Sequence, residues 1–169
     1  KQQLERRRPL PQQQHFHKPH SILEYLLKPY KNLILFVGHI SEPKGLMDLL
    51  KAIKILNDNT IKIEVAGSIR DKQYYSKVIN YIENNGLDSQ VSFLGKLDRD
   101  MLCKKYSEMS VLCLTSKQET APMVVSEAMA SQKPVISYNI CGMPYMIDDG
   151  QTGFTVDLED VNSLAEKIK

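Results

Sequence analysis

From Asn32 onward, short apolar runs alternate with segments in which apolar residues recur every three or four positions. Residues 33–37 form a continuous apolar run of strand length closed by Gly38, and Leu46, Leu49, Leu50 and Ile53 then repeat at helical spacing. Residues 61–66 predict a second strand, followed by Tyr75, Val78, Ile79 and Ile82 on one helical face. Residues 91–94 predict a third strand, and Asp98 opens the helix after it. Residues 111–114 predict a fourth strand, with a helix over 122–130. Residues 135–138 and 154–156 complete the set, and a last helix presents Val161, Leu164, Ala165 and Ile168 on one face. Short apolar runs bounded by turn residues read as strands, and the longer period of between three and four residues reads as helix.

Strict alternation of strands and helices implies right-handed crossovers, hence a parallel sheet covered on both faces. The expected fold is therefore a single α/β, Rossmann-like domain over residues 32–169, with about six parallel strands. The fourth strand belongs at the buried centre, because Val111, Leu112, Cys113 and Leu114 carry no polar side. Residues 1–20 are rich in Gln, Arg, Pro and His and show neither period, which predicts a disordered or linker tail. Residues 21–31 read as a lead-in, with a short helix over 22–30 stopped before Pro29. His15, His17 and His20 have no accompanying carboxylate or cysteine, so they read as part of a polar tail rather than a metal site.

Composition adds exclusions. A chain of 169 residues with 42% hydrophobic and 25% charged residues is an ordinary globule large enough for one core. A net charge of +2 gives no electrostatic case for nucleic acid, and Arg6, Arg7 and Arg8 fall in the tail. Cys103, Cys113 and Cys141 show no paired spacing, which favours a reducing compartment; packing accounts for the first two. No apolar run approaches the roughly 18 residues of a membrane helix, and the first residues lack a signal peptide's apolar core. The expectation is a cytoplasmic protein, with contact at the inner membrane face left open.

In open parallel sheets ligands lie outside the carboxyl ends of the strands, so the loops after each strand are the candidates. The first, residues 38–45, turns at Gly38 and places Lys44 and Gly45 where a helix begins. There, orphan N–H groups and the positive dipole end favour an anion. It matches neither G-x-G-x-x-G nor G-x-x-x-x-G-K-[ST], which disfavours nicotinamide and flavin cofactors and excludes a P-loop. The fourth loop leads from Ser116 through Glu119 to Pro122, which suits the first helical position. It leaves the N–H groups of Met123 and Val124 unpaired at the loop mouth. Glu119 and Glu127 flank these donors, and a carboxylate accepts from two adjacent hydroxyls at once. That arrangement suits a ligand with hydroxyls at both ends and phosphates between. Taken alone, Lys44 also reads as a solvated surface lysine, and Glu127 as an exposed acid. The backbone of residues 94–97, including Gly95 and Lys96, is placed to meet a nucleobase edge. Asp98-Arg99-Asp100 reads as a helix cap rather than a metal-binding D-x-D.

These residues carry a resemblance. From about Asn32 to its last residue the chain resembles the C-terminal, donor-binding domain of retaining glycosyltransferases of the GT-B fold, group 1 (family 4). The resemblance rests on Phe36-Val37-Gly38-His39-Ile40 with Lys44-Gly45, on Phe93-Leu94-Gly95, and on the E-x7-E pair Glu119 and Glu127 followed by Ala128-Met129-Ala130. Lys133-Pro134-Val135-Ile136, Cys141-Gly142-Met143-Pro144 and the stretch from Asp149 to Phe154 complete it.

The resemblance implies that Glu119 holds hydroxyls of the transferred sugar and Glu127 those of the ribose. Lys44 and His39 would neutralise the departing diphosphate, Gly38, Met123 and Val124 would line the donor, and backbone at 94–96 would read the base. It implies transfer of a hexose from a UDP-, GDP- or ADP-sugar with retention, without a bound metal or other cofactor. The acceptor would be a glycan or lipid-linked molecule recognised by an N-terminal acceptor lobe that these residues lack. An epimerase or hydrolase of nucleotide sugars with the same fold, or a non-catalytic binding module, is the alternative; turnover without acceptor would mark the former.

The chain departs from the family at three places. His39 stands where arginine is usual, Pro122 where glycine is frequent, and Tyr145 where glutamate is common. A histidine gives the diphosphate a full charge only when protonated. Donor affinity is therefore expected to weaken as pH rises past neutrality, measured by calorimetry from about pH 5.5 to about pH 8.5; a flat profile removes His39 from the phosphate grip.

Overall fold

The computed structural model describes residues 32–169. The expected tail over 1–20, its three histidines and the lead-in over 21–31 lie outside the described residues. The strands are β1 (Leu33–Val37), β2 (Lys62–Ala66), β3 (Val91–Gly95), β4 (Val111–Leu114), β5 (Val135–Tyr138) and β6 (Gly153–Val156). Between them run α1 (Leu46–Leu56), α2 (Lys72–Asn85), α3 (Arg99–Glu108), α4 (Met123–Ala130), the short α5 (Met143–Met146) and α6 (Val161–Ile168). The pattern of hydrophobicity predicts all of these except α5 and a single 3-10 turn at Glu42–Lys44. Both are too short to display a period.

All six strands pair in parallel, in the order β3-β2-β1-β4-β5-β6. Residues alternate between the two faces of a strand, and here each face has its own core. Ile34, Phe36, Ile63, Val65 and Cys113 point to one side, where Leu49, Leu50 and Ile53 of α1, Val78 of α2 and Leu164 of α6 close over them. Leu35, Ala66, Leu112 and Leu114 point to the other, under Tyr106 of α3, Val125 and Ala128 of α4 and Met143 of α5. The two-sided burial explains why β1 and β4 read as unbroken apolar runs. β4 sits between β1 and β5, at the expected centre.

Helix ends follow local chemistry. The Asp71 side chain accepts from the Tyr74 N–H at 2.9 Å, Asp98 from Met101 at 2.8 Å and Asp160 from Ser163 at 3.0 Å, each fixing a helix start. The capping reading of Asp98 is therefore borne out. One polar pair spans the core: Tyr138 Oη of β5 donates to Asp48 Oδ2 of α1 at 3.0 Å, with Asp48 only 7% exposed. Burial, with the Asp48 charge behind it, pushes the Tyr138 phenol well above its ordinary value, so it remains a donor. Among the described residues no helix is long and apolar enough to cross a membrane.

Leu49 is fully buried and Ile55, on the same helix, is 52% exposed. Leu49→Ala should cost about 2–5 kcal/mol, from lost transfer energy and the cavity left behind, whereas Ile55→Ala should cost under about 1 kcal/mol. Urea denaturation of the two variants checks the contrast.

Candidate functional site

β1 and β4 are neighbours, yet the chain leaves β1 towards β2 and β3 and leaves β4 towards β5 and β6. The pairing of Ile34 with Val111 and Leu35 with Leu112 brings their carboxyl ends level. At such a reversal the two outgoing loops diverge and open a crevice. Here they are residues 38–45 and 115–122, the two loops in which the sequence places most of its candidate chemistry.

The loops are stitched together by backbone. The Lys117 N–H donates to the Pro43 carbonyl at 2.8 Å, and Thr115 Oγ1 donates to the Gly45 carbonyl at 2.9 Å. Gly45 ends the 3-10 turn at φ 69°, and a Cβ there would sit 1.9 Å from the Thr115 carbonyl oxygen. Only glycine combines that conformation with that approach. The turn presents Lys44, whose side chain runs past Gly38: a Cβ on Gly38 would lie 3.7 Å from Lys44 Cδ. Lys44 Nζ then donates to Glu119 Oε1. With 30% of the lysine and 15% of the glutamate side chain exposed, the pair adds at most about 1 kcal/mol to stability. Its effect is to place two opposite charges at a fixed point of the crevice. From the other side, the Gly142 N–H donates to the Glu119 carbonyl at 3.4 Å, and a Cβ on Gly142 would meet the Thr120 carbonyl oxygen at 1.6 Å. Lys117 Nζ adds a side-chain tie to Glu159, beyond β6.

The two helix starts at this edge differ. At α1, the Met47 N–H donates to Tyr74 Oη at 2.9 Å and the Asp48 N–H to the Gly45 carbonyl at 2.9 Å. One of the orphan donors expected beside Lys44 is thus taken, because α2 brings a tyrosine against it. At α4, the N–H groups of Met123 and Val124 meet no acceptor among the described residues, and no side chain caps the helix. Pro122 corrects the expectation by one position. It is the N-cap, at φ −72° and ψ 125°, rather than the first helical residue, and its carbonyl accepts from Val125 at 3.1 Å. Both free N–H groups therefore belong to the first turn of the helix.

The remaining candidates are more scattered. Glu127 makes no contact with the Lys44–Glu119 pair; its Oε2 accepts from Tyr106 Oη of α3 at 2.7 Å. His39 is exposed, with Nδ1 2.9 Å from Ser68 Oγ in the loop after β2. The Gly67 N–H donates to the Gly95 carbonyl at 2.8 Å, and a Cβ on Gly67 would meet the Gly38 carbonyl oxygen at 1.8 Å. Gly38, Gly67 and Gly95 therefore form a close row across the ends of β1, β2 and β3. Gly95 lies at φ 70° and Lys96 is exposed beyond it.

Tyr106 and Ser116 are absent from the candidates drawn from the sequence. Ser116 is 2% exposed, and its Oγ has no partner among the described residues. The signal available was a serine two residues beyond the buried run of β4; for Tyr106 there was none, since the contact joins two helices. Cys113 is buried as expected, and burial pushes its thiol up to about 12. Cys103 is exposed on α3, so packing does not account for it. Among the described residues no three His, Cys, Asp or Glu side chains are grouped to hold a metal ion. A cavity of about 730 Å³ opens at the opposite end of the sheet, walled by Ile34, Ile55, Leu56 and Phe154, and takes no residue from the crevice loops.

Residues 21–169 match the family model for glycosyl transferases group 1. An uncharacterized glycosyltransferase of Methanocaldococcus jannaschii is 34% identical over 137 residues, 81% of this chain and 37% of that protein. The D-inositol 3-phosphate glycosyltransferase of Mycobacterium sp. (strain KMS) is 29% identical over 144 residues, 84% of this chain and 32% of that protein. Among solved structures, Anabaena HepE in complex with UDP superposes with a TM-score of 0.77 at 22% identity, over 82% of this chain and 38% of its own. Sucrose-phosphate synthase from Thermosynechococcus elongatus gives 0.76 at 25% identity, over 86% and 37%. The chain thus spans about a third of the length of the curated relatives it matches.

Gly45 and Gly86 have nearly the same left-handed backbone, at φ 69° and φ 68°, but nothing lies within 4 Å of a Cβ on Gly86. Gly86→Ala should cost about 1–2 kcal/mol, the conformational term alone. Gly45→Ala adds a collision with backbone and should cost at least twice as much. Chemical denaturation of both variants measures the difference.

Proposed function

This chain belongs to the group 1 glycosyl transferases, and from that premise we propose that it is the donor-binding half of a sugar transferase. It would grip a nucleoside-diphosphate hexose, UDP- or GDP-linked, for transfer with retention to a glycan or lipid-linked acceptor. A second lobe outside these 169 residues would bring that acceptor. The observation that carries the reading is the contact of Lys44 with Glu119 where β1 and β4 part, on the loop that leads into the uncapped start of α4. HepE, solved with UDP and with UDP-glucose, has this fold.

The residues divide the work by charge. The Lys44 ammonium is compensated by Glu119, so neither is an isolated charge in a half-buried place. An incoming diphosphate competes for Lys44, and the Met123 and Val124 N–H groups, at the positive end of α4, give its oxygens further donors. Glu119 keeps its second oxygen for sugar hydroxyls, which fixes the hexose relative to the phosphate. As the bond to the diphosphate breaks, negative charge grows on the leaving oxygens, and Lys44 with the helix start stabilises it. His39, exposed at the neighbouring turn, adds charge when protonated, and the backbone at Gly95 and Lys96 meets the base. Glu127 takes the ribose hydroxyls.

The test is a thermal-shift screen of the chain with UDP, GDP, ADP and their sugars, because a ligand of the folded state raises its melting midpoint. One nucleotide series should stabilise the protein. Lys44→Met should weaken diphosphate binding roughly tenfold to a hundredfold, the loss of a hydrogen bond to a charged group. Glu119→Gln should keep nucleotide binding but lose the added affinity of the nucleotide sugar. If no nucleotide shifts the midpoint, the reading fails.

A further inference from the structure

Tyr106 is 1% exposed, packed among Leu35, Leu112, Val125 and Ala128 between the sheet and α4. Its hydroxyl leaves that apolar setting only at Glu127, where it donates to Oε2 at 2.7 Å. A buried hydroxyl needs a partner, and this one always arrives as a donor. Burial, with the Glu127 hydrogen bond and charge added, pushes its pKa far above the ordinary phenol value, so it keeps its proton. The ring is held by the core, so the oxygen it presents is a fixed point.

A glutamate in the second turn of a helix otherwise samples several rotamers, and ordering it costs free energy when a ligand binds. Tying Oε2 to a rigid donor sets the carboxylate plane beforehand. Oε1 receives no hydrogen bond among the described residues. With the remaining lone pair of Oε2 it forms an edge for two adjacent hydroxyls. Resting on the assignment of Glu127 to the ribose, we propose that Tyr106 is the positioning residue that orients Glu127 for the ribose diol. It touches the carboxylate and not the ligand, so its influence is confined to ligands that carry the diol.

Calorimetry with UDP and GDP and their 2′,3′-dideoxy counterparts tests this on the intact chain. The unaltered protein should prefer the ribonucleotide by about tenfold or more, as expected for hydroxyls on a carboxylate. Tyr106→Phe keeps the ring and removes one oxygen. It should lower ribonucleotide affinity roughly threefold to tenfold, leave dideoxynucleotide affinity unchanged and so erase most of the preference. Equal losses for both nucleotides would mean a merely loosened core, and an intact preference would mean that Glu127 orients itself; either overturns the positioning role. A protein that binds nucleotide but shows no preference before mutation overturns instead the assignment of Glu127 to the ribose. If Tyr106→Phe does not fold, Tyr106→Met, which also lacks the hydroxyl and leaves Glu127 in place, is read in the same way. Loss of preference with dideoxynucleotide affinity unchanged supports the proposal, and full retention overturns it.

Discussion

An ammonium and a carboxylate drawn from two different loops meet at the centre of the sheet edge, and the surrounding backbone is arranged so that they must. Lys44 reaches Glu119 because β1 and β4 lie side by side, because a 3-10 turn lifts the lysine at the right place, and because Gly45 lets the loops touch. Remove any of these and the two charges return to solvent as separate surface residues. The contribution of the contact to folding is small. What it supplies is a dipolar fixture at a fixed point of the crevice, which under the proposed function a diphosphate opens on one side while a sugar engages the other.

The contrast between the helix starts sharpens this picture. A helix beginning is an anion site only when its N–H groups are free. At both starts the third N–H bonds back to the N-cap carbonyl, but at α1 Tyr74 also takes the Met47 N–H, so that start has fewer open donors than α4. α4, begun by a proline that has no N–H and offers no side-chain cap, keeps its first two donors open. Lysine and open helix start therefore follow different strands, β1 and β4, which lie side by side in the sheet. Neither loop alone would make the site.

Much of this was legible in the residues. β1 and β4 announce themselves as unbroken apolar runs because both their faces are covered, and Asp98 reads as a cap because its side chain acts within three residues. Lys44, Glu119 and the donors of Met123 and Val124 follow from the rule that ligands gather beyond the carboxyl ends of parallel strands. What escaped are contacts made at long sequence separation. The bond from Tyr106 to Glu127, the tyrosine over α1 and the approach of Ser68 to His39 each join elements whose relative placement no local period records. The proline misplaced by one position has another cause. Both the N-cap and the first helical residue tolerate a missing N–H, so proline alone does not distinguish them.

The carbonyl contacts of Gly45 and Gly142 have a bearing on how this scaffold can be varied. With Thr115 on one flank and Thr120 on the other, the segment bearing Glu119 is clamped main chain to main chain, and lengthening or reshaping it would break the clamp. Diversity must instead enter through side chains that already stand clear of the protein at this rim. Met123 at 74% exposure and Tyr145 at 92% are the most exposed large hydrophobic side chains among the described residues. Sequence change is cheapest where the backbone has nothing to lose, so the scaffold separates a clamped segment from an adjustable margin.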